Sequence, residues 1–278
     1  MGGIEAPSIK ALTAADIAQA MELSSEAGWN QLQADWQLFV AHGEVFGIFE
    51  GAALAATSAV MPYGETFAWI SMVLTRKRCR GRGYGTTLLR HCLDMLEQQN
   101  RTALLDATPD GERIYRQLGF EPLFTLHRWQ AEPQTTESAS ITAGAQPPPA
   151  KAIELANAAF GAGRTAILQN FTQRAPGGAG VSGNGKACLF ARDGRRATQL
   201  GPLIAADEAD AIPLLEGALQ ICHGPIFIDL ADHATAVVRH VEQRGFSRQR
   251  PFLRMARGLK PWPGSVNSTI AIAGPEFG

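Results

Sequence analysis

The sequence predicts an α/β fold made of two copies of one unit. The chain has 278 residues, which is more than one small domain needs. Its hydrophobic fraction of 45% and charged fraction of 18% are typical of a globular chain with a sizeable core. The third observation is a repeat, in which residues 104–106 and 118–120 (LLD and LGF) recur as residues 227–229 and 244–246 (FID and RGF). We therefore expect a domain at residues 1–130, a linker at 131–150 and a second domain at 151–278.

In the first half, the hydrophobic pattern alternates between helical and strand periods. Thr13 and Asp16 form a capping signature before a first helix, and a second helix is predicted from about Asn30. Further helices are predicted on either side of the strand at residues 102–107, and Gly119 ends the second of these helices as a left-handed cap. Strands are predicted from their apolar pattern at residues 45–50, 52–60, 67–75, 102–107 and 120–129.

The second half repeats this order after a segment rich in Gln, Thr, Ser, Ala and Pro, which is typical of a linker. Helices are predicted at residues 151–174, with a break near 161–163, and at 212–221 and 234–244. Strands are predicted at residues 187–191, 197–205, 225–230 and 252–255. The two halves thus share one sequence of elements.

Composition excludes several classes of protein. Lys and Arg number 25 against 26 Asp and Glu, so a dedicated nucleic-acid binder is not expected. No apolar run approaches the ~18 residues of a membrane span, and the first residues match neither a secretory signal nor a myristoylation site. The four cysteines and six histidines show no metal-ligand spacing, so we expect no metal site. A cytoplasmic protein is the resulting expectation.

A loop rich in glycine and arginine, residues 76–85, precedes the helix that follows the strand at 67–75. It holds five cations within seven positions, and glycines at 81, 83 and 85. Glycine lets the backbone turn tightly and bring its N–H groups to a ligand, and a helix N-terminus adds partial positive charge. Arginine adds planar donors suited to phosphate. The loop therefore predicts an anion site, the alternative being a solvated basic turn.

Two phosphate motifs fail on their spacing or context. The glycine loop does not fit G-x-G-x-x-G, because Thr86 stands at the final glycine position, and a nicotinamide cofactor is not expected. Residues 180–186 match G-x-x-x-x-G-K but continue with Ala187 and a predicted strand. We interpret that second segment as a hairpin or connecting loop.

The loop and a later segment resemble the GNAT N-acetyltransferases. Residues 80–85 (RGRGYG) match the Q/R-x-x-G-x-G/A signature of that family, and residues 114–120 (IYRQLGF) are similar to its helix ending in Tyr-x-x-x-Gly-Phe. The resemblance spans about residues 10–130, and the whole chain resembles a subgroup with two GNAT-like modules. It implies a mixed, mostly antiparallel twisted sheet flanked by helices in each module.

The resemblance also implies acetyl-CoA as the cosubstrate. In the family, the pyrophosphate lies on the glycine loop, and the pantetheine arm runs along the family's fourth strand, which residues 70–75 resemble. Thr108 stands where an Asn is common, and Lys77 stands where a Pro is usual. The residues expected at coenzyme A are Val73, Leu74, Thr75, Arg80, Gly81, Arg82, Gly83, Tyr84, Gly85, Thr86 and Thr108.

Catalysis implied by the resemblance is acetyl transfer to the primary amine of a small molecule, with Tyr115 as general acid. A backbone N–H at a strand bulge near Val73 or Leu74 would polarise the thioester carbonyl. The general base is left open between Glu22, Glu26, Asp106 and a chain of water molecules. The residues considered for the acceptor site are Glu26, Asp106 and, with core packing as the alternative for both, Trp29 and Trp36.

The second half keeps the elements and loses the chemical groups. Asp207, Glu208 and Asp210 stand where the first half has its basic loop, and they would repel a pyrophosphate. Val241 stands where the first half has Tyr115. We therefore expect one coenzyme A site per chain, and a homodimer is left open. The alternative function is a non-catalytic acyl-CoA sensor that binds without turnover.

Overall fold

The structure, a computed structural model, describes residues 8–132, 149–175, 178–222 and 224–278. It divides into two compact units, the first formed by Met1–Leu104 and Arg257–Lys260 and the second by Leu105–Ala256 and Pro261–Gly278. Most of the predicted linker at residues 131–150 lies outside the described residues. The domain boundaries drawn from the sequence remain a prediction.

The first unit follows the predicted order of elements. Its helices are α1 (Ile17–Glu26), α2 (Gln33–His42) and α3 (Tyr84–Gln98). Its strands are β1 (Ile9–Ala11), β2 (Glu44–Glu50), β3 (Ala53–Tyr63), β4 (Phe67–Thr75) and β5 (Thr102–Ala107), the last of which continues into the second unit. The sequence pattern does not predict β1, because three residues are too few to show an alternation.

Local signals explain where the first two helices begin. The backbone N–H of Thr13 donates to Asp16 at 2.8 Å, as the capping signature predicts, and leads into α1 through a short 3-10 helix. The second helix starts at Gln33 rather than at Asn30, because Leu32 is the N-cap residue. Its N–H donates to the carboxylate of Asp35 at 2.7 Å.

The sheet of the first unit has the order β1-β2-β3-β4-β5. Its neighbours are antiparallel except β4 and β5, which are parallel. Residues of both faces of β3 and β4 are buried, as expected of central strands covered by helices on both sides. The predicted mixed, mostly antiparallel arrangement is therefore confirmed for this unit.

The second unit contains the remaining elements. Its helices are α4 (Pro109–Gln117), α5 (Ala150–Phe160), α6 (Thr165–Arg174), α7 (Glu208–Ile221) and α8 (Thr235–Gln243). Its strands are β6 (Glu121–Ala131), β7 (Ala179–Val181), β8 (Ala187–Arg192), β9 (Thr198–Ala205), β10 (Ile226–Ala231), β11 (Ser247–Arg257) and β12 (Thr269–Ala271). Residues 180–181 lie in β7 and residues 182–186 form the turn to β8, so the segment is a hairpin and not a phosphate loop.

The strand β6, which ends the first half of the sequence, lies between two strands of the second half. It pairs antiparallel with β10 over residues 126–131 and with β11 over residues 121–130. The order within this unit is β11-β6-β10-β12-β9-β8-β7. The two sequence repeats therefore share their last strands, which an order of elements along the chain cannot show.

Two buried ion pairs connect these strands, and each pair joins one residue from each half of the sequence. Arg254 on β11 donates from two nitrogens to the carboxylate of Asp106 on β5, both at 2.9 Å. Arg128 on β6 donates in the same way to Asp229 on β10, both at 2.8 Å. Each arginine stands eight residues after the phenylalanine of its Gly-Phe dipeptide, so the two pairs occupy equivalent positions of the repeat. Each half thus supplies the arginine that neutralises the aspartate of the other half.

Candidate functional site

The loop between β4 and α3 is rich in cationic residues and has open space beside its backbone. Lys77–Cys79 form a short 3-10 helix, which is anchored by the buried side chain of Cys79. Gly81 and Gly83 adopt positive φ angles of 78° and 79°, a conformation that glycine reaches at no steric cost. A Cβ atom placed on either glycine would meet no atom within 4 Å. The turn therefore leaves room beside its backbone for a ligand.

The start of α3 contributes partial positive charge to the same space. Gly83 is the N-cap residue, in the left-handed conformation, and no side chain accepts a hydrogen bond at this cap. The N–H groups of the first helical turn are left for an external acceptor, and the 15-residue helix places its positive end there. Backbone donors, helix dipole and nearby arginines make this loop suited to an anion.

A groove begins where β4 continues beyond the residues that pair with β5. The parallel pairing covers Phe67–Trp69 of β4, whereas the strand continues to Thr75. Beyond the pairing, Met72 has a φ of 51° and interrupts the register between β3 and β4, and its carbonyl accepts from Thr57 Oγ1 at 2.8 Å. This is a bulge next to Val73, where the resemblance implies one. The unpaired edge offers backbone donors and acceptors to an extended ligand.

Three of the predicted coenzyme A residues meet at the junction of β4 and α3. A Cβ atom on Gly85 would lie 3.4 Å from Thr75 Oγ1 and 3.8 Å from Val73 Cγ1. Both are ordinary contact distances, so a small residue at this position packs the helix against the strand without a clash. Leu74, on the intervening position, is a buried core residue at 6% exposure, so it could contact a ligand through its backbone rather than its side chain.

A carboxylate that sequence reasoning missed lies against the basic loop. Glu50, at the end of β2, accepts from Arg82 Nη1 at 2.6 Å and from the hydroxyl of Tyr84 at 2.9 Å. The hydrogen bond from Tyr84 and the charge of Arg82 lower the pKa of Glu50. Glu50 precedes Arg82 by 32 residues, and no pattern in the sequence joins them.

The candidate bases on α1 are bound to the first residues of the loop. Glu26 accepts from the backbone N–H of Lys77 at 2.6 Å, and Glu22 accepts from Arg76 Nη2 at the same distance. Arg76 also donates from Nε to the carbonyl of Leu54 at 2.6 Å. These contacts hold the loop against α1, and they engage both carboxylates.

Tyr115 lies on α4 in the second unit, with its ring half-buried. It makes an edge contact with Phe120 at 5.8 Å between ring centroids. A Cβ atom placed on Gly111 would lie only 2.7 Å from Cε2 of the Tyr115 ring. Burial raises the pKa of Tyr115 to about 12. The phenol therefore remains protonated at neutral and moderately alkaline pH. Thr108 is the N-cap residue of α4, and its carbonyl accepts from Gly111 N–H at 3.0 Å.

The other candidate acceptor residues have mixed environments. The carboxylate of Asp106 is fully buried against Arg254, so it serves the frame of the fold and is unavailable as an exposed base. Trp36 is a core residue at 0% exposure and donates from Nε1 to Ser24 Oγ at 3.3 Å. Trp29 is half-buried in the loop between α1 and α2.

In the second half, the equivalent groove is filled by the chain itself. The strands β9 and β10 pair in parallel over Thr198–Leu200 and then separate, as β4 and β5 do. The strand β12 enters the gap, where it pairs antiparallel with both β9 and β10. At the start of α7, Asp207 accepts from Ala209 N–H at 2.9 Å, so a carboxylate occupies the helix N-terminus. In the second half, these backbone groups and this helix N-terminus are therefore already bonded within the chain.

Val241 in α8 corresponds in structure to Tyr115 in α4. The N–H of Phe246 donates to Val241 at 3.0 Å, just as the N–H of Phe120 donates to Tyr115 at 3.1 Å. Val241 is fully buried in the core of its unit. The second half thus keeps the helix and places an aliphatic group where the first half has a phenol.

Within the described ranges, no three His, Cys, Asp or Glu side chains come together as a metal-ligand set. No helix in that part of the chain is both long and apolar enough to cross a membrane.

Comparison with known families and proteins identifies both halves. Residues 13–120 match the Acetyltransferase (GNAT) family, and residues 152–270 match the Acetyltransferase (GNAT) domain. Holothin acyltransferase of Pseudoalteromonas sp. (strain SANK 73390) is 27% identical over 239 residues, which cover 80% of this chain and 77% of that protein.

Solved structures of the same fold cover nearly the whole chain. A Pyrococcus horikoshii protein assigned to the acetyltransferases aligns with a TM-score of 0.80 and 18% identity, over 100% of this chain and 98% of that one. A GCN5-related N-acetyltransferase from Sphaerobacter thermophilus aligns with a TM-score of 0.62 and 14% identity, over 94% and 98% of the two chains. A tandem GNAT protein from the clavulanic acid biosynthesis pathway aligns with a TM-score of 0.62 and 13% identity, over 91% and 99%.

Proposed function

Since the chain belongs to the GNAT acetyltransferase family, as two GNAT domains in tandem, we propose that it is an N-acetyltransferase for the primary amine of a small molecule, with acetyl-CoA as donor. The observation that carries this proposal is the open cradle at Gly81 and Gly83, which leads from the unpaired edge of β4 to the start of α3. An acyltransferase among the relatives supports transfer of an acyl group.

The cradle fits the anionic and extended parts of acetyl-CoA. Backbone N–H groups from Arg80 to Thr86 would bind the pyrophosphate, with Arg80 and Arg82 supplying charge. Backbone groups of residues 73–75 would pair with the pantetheine amides along β4, and Thr108 is proposed to contact the same arm. When bound, the cosubstrate supplies an activated thioester for attack by the amine.

Tyr115 is proposed as the general acid. Attack of the amine on the thioester carbonyl forms a C–N bond and breaks the C–S bond. The nitrogen gives up one proton, which is proposed to pass to water, and the departing thiolate takes one proton from Tyr115. Burial holds the proton on the Tyr115 hydroxyl, because it raises the pKa of this phenol to about 12. A phenol of that pKa remains a donor over the whole neutral range.

One coenzyme A site per chain is proposed, in the first half. In the second half β12 lies between β9 and β10, and Asp207 caps α7, so the backbone groups that a coenzyme would need are already bonded. Titration calorimetry should therefore give one acetyl-CoA per chain, and two equal sites would contradict this assignment.

The proposal is tested by calorimetry with acetyl-CoA and by release of free thiol with a panel of primary amines. Gly83→Ala should weaken acetyl-CoA binding at least about tenfold, because an alanine at positive φ is strained and distorts the cradle. Gly185→Ala is the matched control, since Gly185 has a φ of 70° and equally open surroundings in the hairpin between β7 and β8. Binding without thiol release for any amine would favour the sensor, and equal binding by both variants would reject the cradle.

A further inference from the structure

Two buried polar atoms of the first unit have no hydrogen-bond partner. They are the hydroxyl oxygen of Ser71, a residue 8% exposed, and the amide oxygen of Gln31, a residue 4% exposed. Within the described part of this unit, they are the two buried side-chain atoms in this state. Neighbouring hydroxyls are satisfied, since Thr57 Oγ1 donates to Met72 O at 2.8 Å and Ser58 Oγ lies 3.3 Å from Cys92 Sγ. Buried polar groups are normally paired, so an unpaired one needs an explanation.

Ser71 lies at the point where the groove opens. It follows the last residues of β4 that pair with β5 and directly precedes Met72, whose positive φ forms the bulge. The hydroxyl therefore belongs to the part of β4 whose edge is free, next to the backbone expected to hold the reacting thioester.

The register of the sheet shows which face Ser71 occupies. Ser58 on β3 faces α3, because its hydroxyl contacts Cys92 of that helix. Ala59 follows Ser58 and faces the other way, and Ser71 is paired with Ala59 across the strands. Ser71 thus faces away from α3, on the side that the other helices of this unit, α1 and α2, cover.

Gln31 lies in the loop that joins these two helices, two residues before the first residue of α2. Its side chain is buried although most loop residues are exposed, and its amide oxygen accepts no hydrogen bond. A buried acceptor without a donor is costly, and a donor supplied by a ligand would remove that cost.

We propose that Ser71 and Gln31 bind the amine group of the acceptor; this inference rests on the proposed function. An amide oxygen can only accept, and a serine hydroxyl can accept or donate. A primary amine offers N–H donors to both atoms and keeps its lone pair for the carbonyl. A carboxylate or phosphate group in this position would leave the Gln31 oxygen without a donor and repel it. The pair thus selects an N–H donor at the end of the acceptor that reacts.

Ser71→Ala separates this role from a structural one. It should lower kcat/KM for the amine about tenfold, through the loss of one hydrogen bond, and leave the KM for acetyl-CoA unchanged. The melting temperature should stay the same or rise, because no hydrogen bond of the protein is lost. Ser58→Ala is the matched control, since it removes a hydroxyl with a partner from the opposite face, and it should lower the melting temperature and leave the amine kinetics unchanged.

The measurements are thiol release with tyramine, benzylamine and 1,4-diaminobutane, and scanning calorimetry of each variant. Gln31→Met should reproduce the kinetic loss of Ser71→Ala. Normal amine kinetics in both variants would overturn the inference and leave the proposed function intact. Wild-type protein that neither binds acetyl-CoA nor releases thiol would instead overturn the proposed function, and the inference with it. A destabilised Ser71→Ala protein would also contradict it, because the hydroxyl would then have a structural partner.

Discussion

Gly111→Ala tests whether the position of the Tyr115 ring matters for catalysis. The alanine Cβ would lie 2.7 Å from Tyr115 Cε2, 3.2 Å from Cζ and 3.3 Å from the hydroxyl oxygen. Ordinary contact begins at 3.4 Å, so the ring must move by at least about 0.7 Å. A displacement near 1 Å at a reacting group can lower a rate about 100-fold, and we expect a decrease of about 10-fold to 100-fold in kcat. Helix propensity favours alanine by up to about 1 kcal/mol, so the fold should not be weakened by the backbone change.

The assay is steady-state thiol release with the best amine, together with calorimetric binding of acetyl-CoA. Binding should remain within about twofold of wild type, since Gly111 is not part of the loop. Gly217→Ala on α7 is the matched control, because the same change there meets no atom within 4 Å. Tyr115→Phe should lower kcat by about 100-fold or more. If Tyr115→Phe is inactive and Gly111→Ala is as fast as wild type, the argument from ring position is refuted. If Tyr115→Phe is fully active, the assignment of the general acid is wrong.

Three further predictions concern charge. Because burial raises the pKa of Tyr115 to about 12 and so favours its protonated form, kcat should show no decrease with a pKa near the usual value of about 10, and such a decrease in a pH profile would contradict the acid role. Glu50→Gln should tighten acetyl-CoA binding about two- to fivefold in low salt, since Arg82 loses its competing carboxylate, and calorimetry at high salt should show the difference vanish. Asp106→Ala should lower the free energy of unfolding by about 3–5 kcal/mol, because it leaves Arg254 buried without its carboxylate. In denaturant titrations, the double variant Asp106→Leu, Arg254→Met should recover most of this loss. Additive losses from the two substitutions would disprove the pairing.

The tight turn of the glycine loop could be predicted because its signal is local. Gly81, Gly83 and Gly85 stand within five residues between a buried strand and an amphipathic helix. The first two adopt a positive φ that favours glycine, and the third packs against the strand at distances where an alanine would also fit. Such requirements act over a few residues, so they appear in the sequence itself.

The partners of the charged residues could not be predicted in the same way. Glu50 meets Arg82 and Tyr84 through the folding of β2 against the loop. Asp106 has an ordinary position at the end of a predicted strand, yet the fold buries it against an arginine 148 residues away. The sequence shows the identity of an ionisable side chain, but it does not show whether that side chain is a catalytic base, holds a loop in place or forms a buried ion pair. Its burial and its partner decide between these roles.

The sequence by itself determined the α/β class, the repeat of one order of elements, the GNAT resemblance and the loop that is suited to a phosphate. Hydrophobic period, glycine conformation and cation spacing are properties of neighbouring residues, and they required no knowledge of the rest of the chain. Only the tertiary structure decided that β6 lies between β10 and β11, that β12 fills the groove of the second half, and that Ser71 is buried without a partner. The physical reason is that strand pairing and burial join residues far apart in sequence, where no local pattern records the choice.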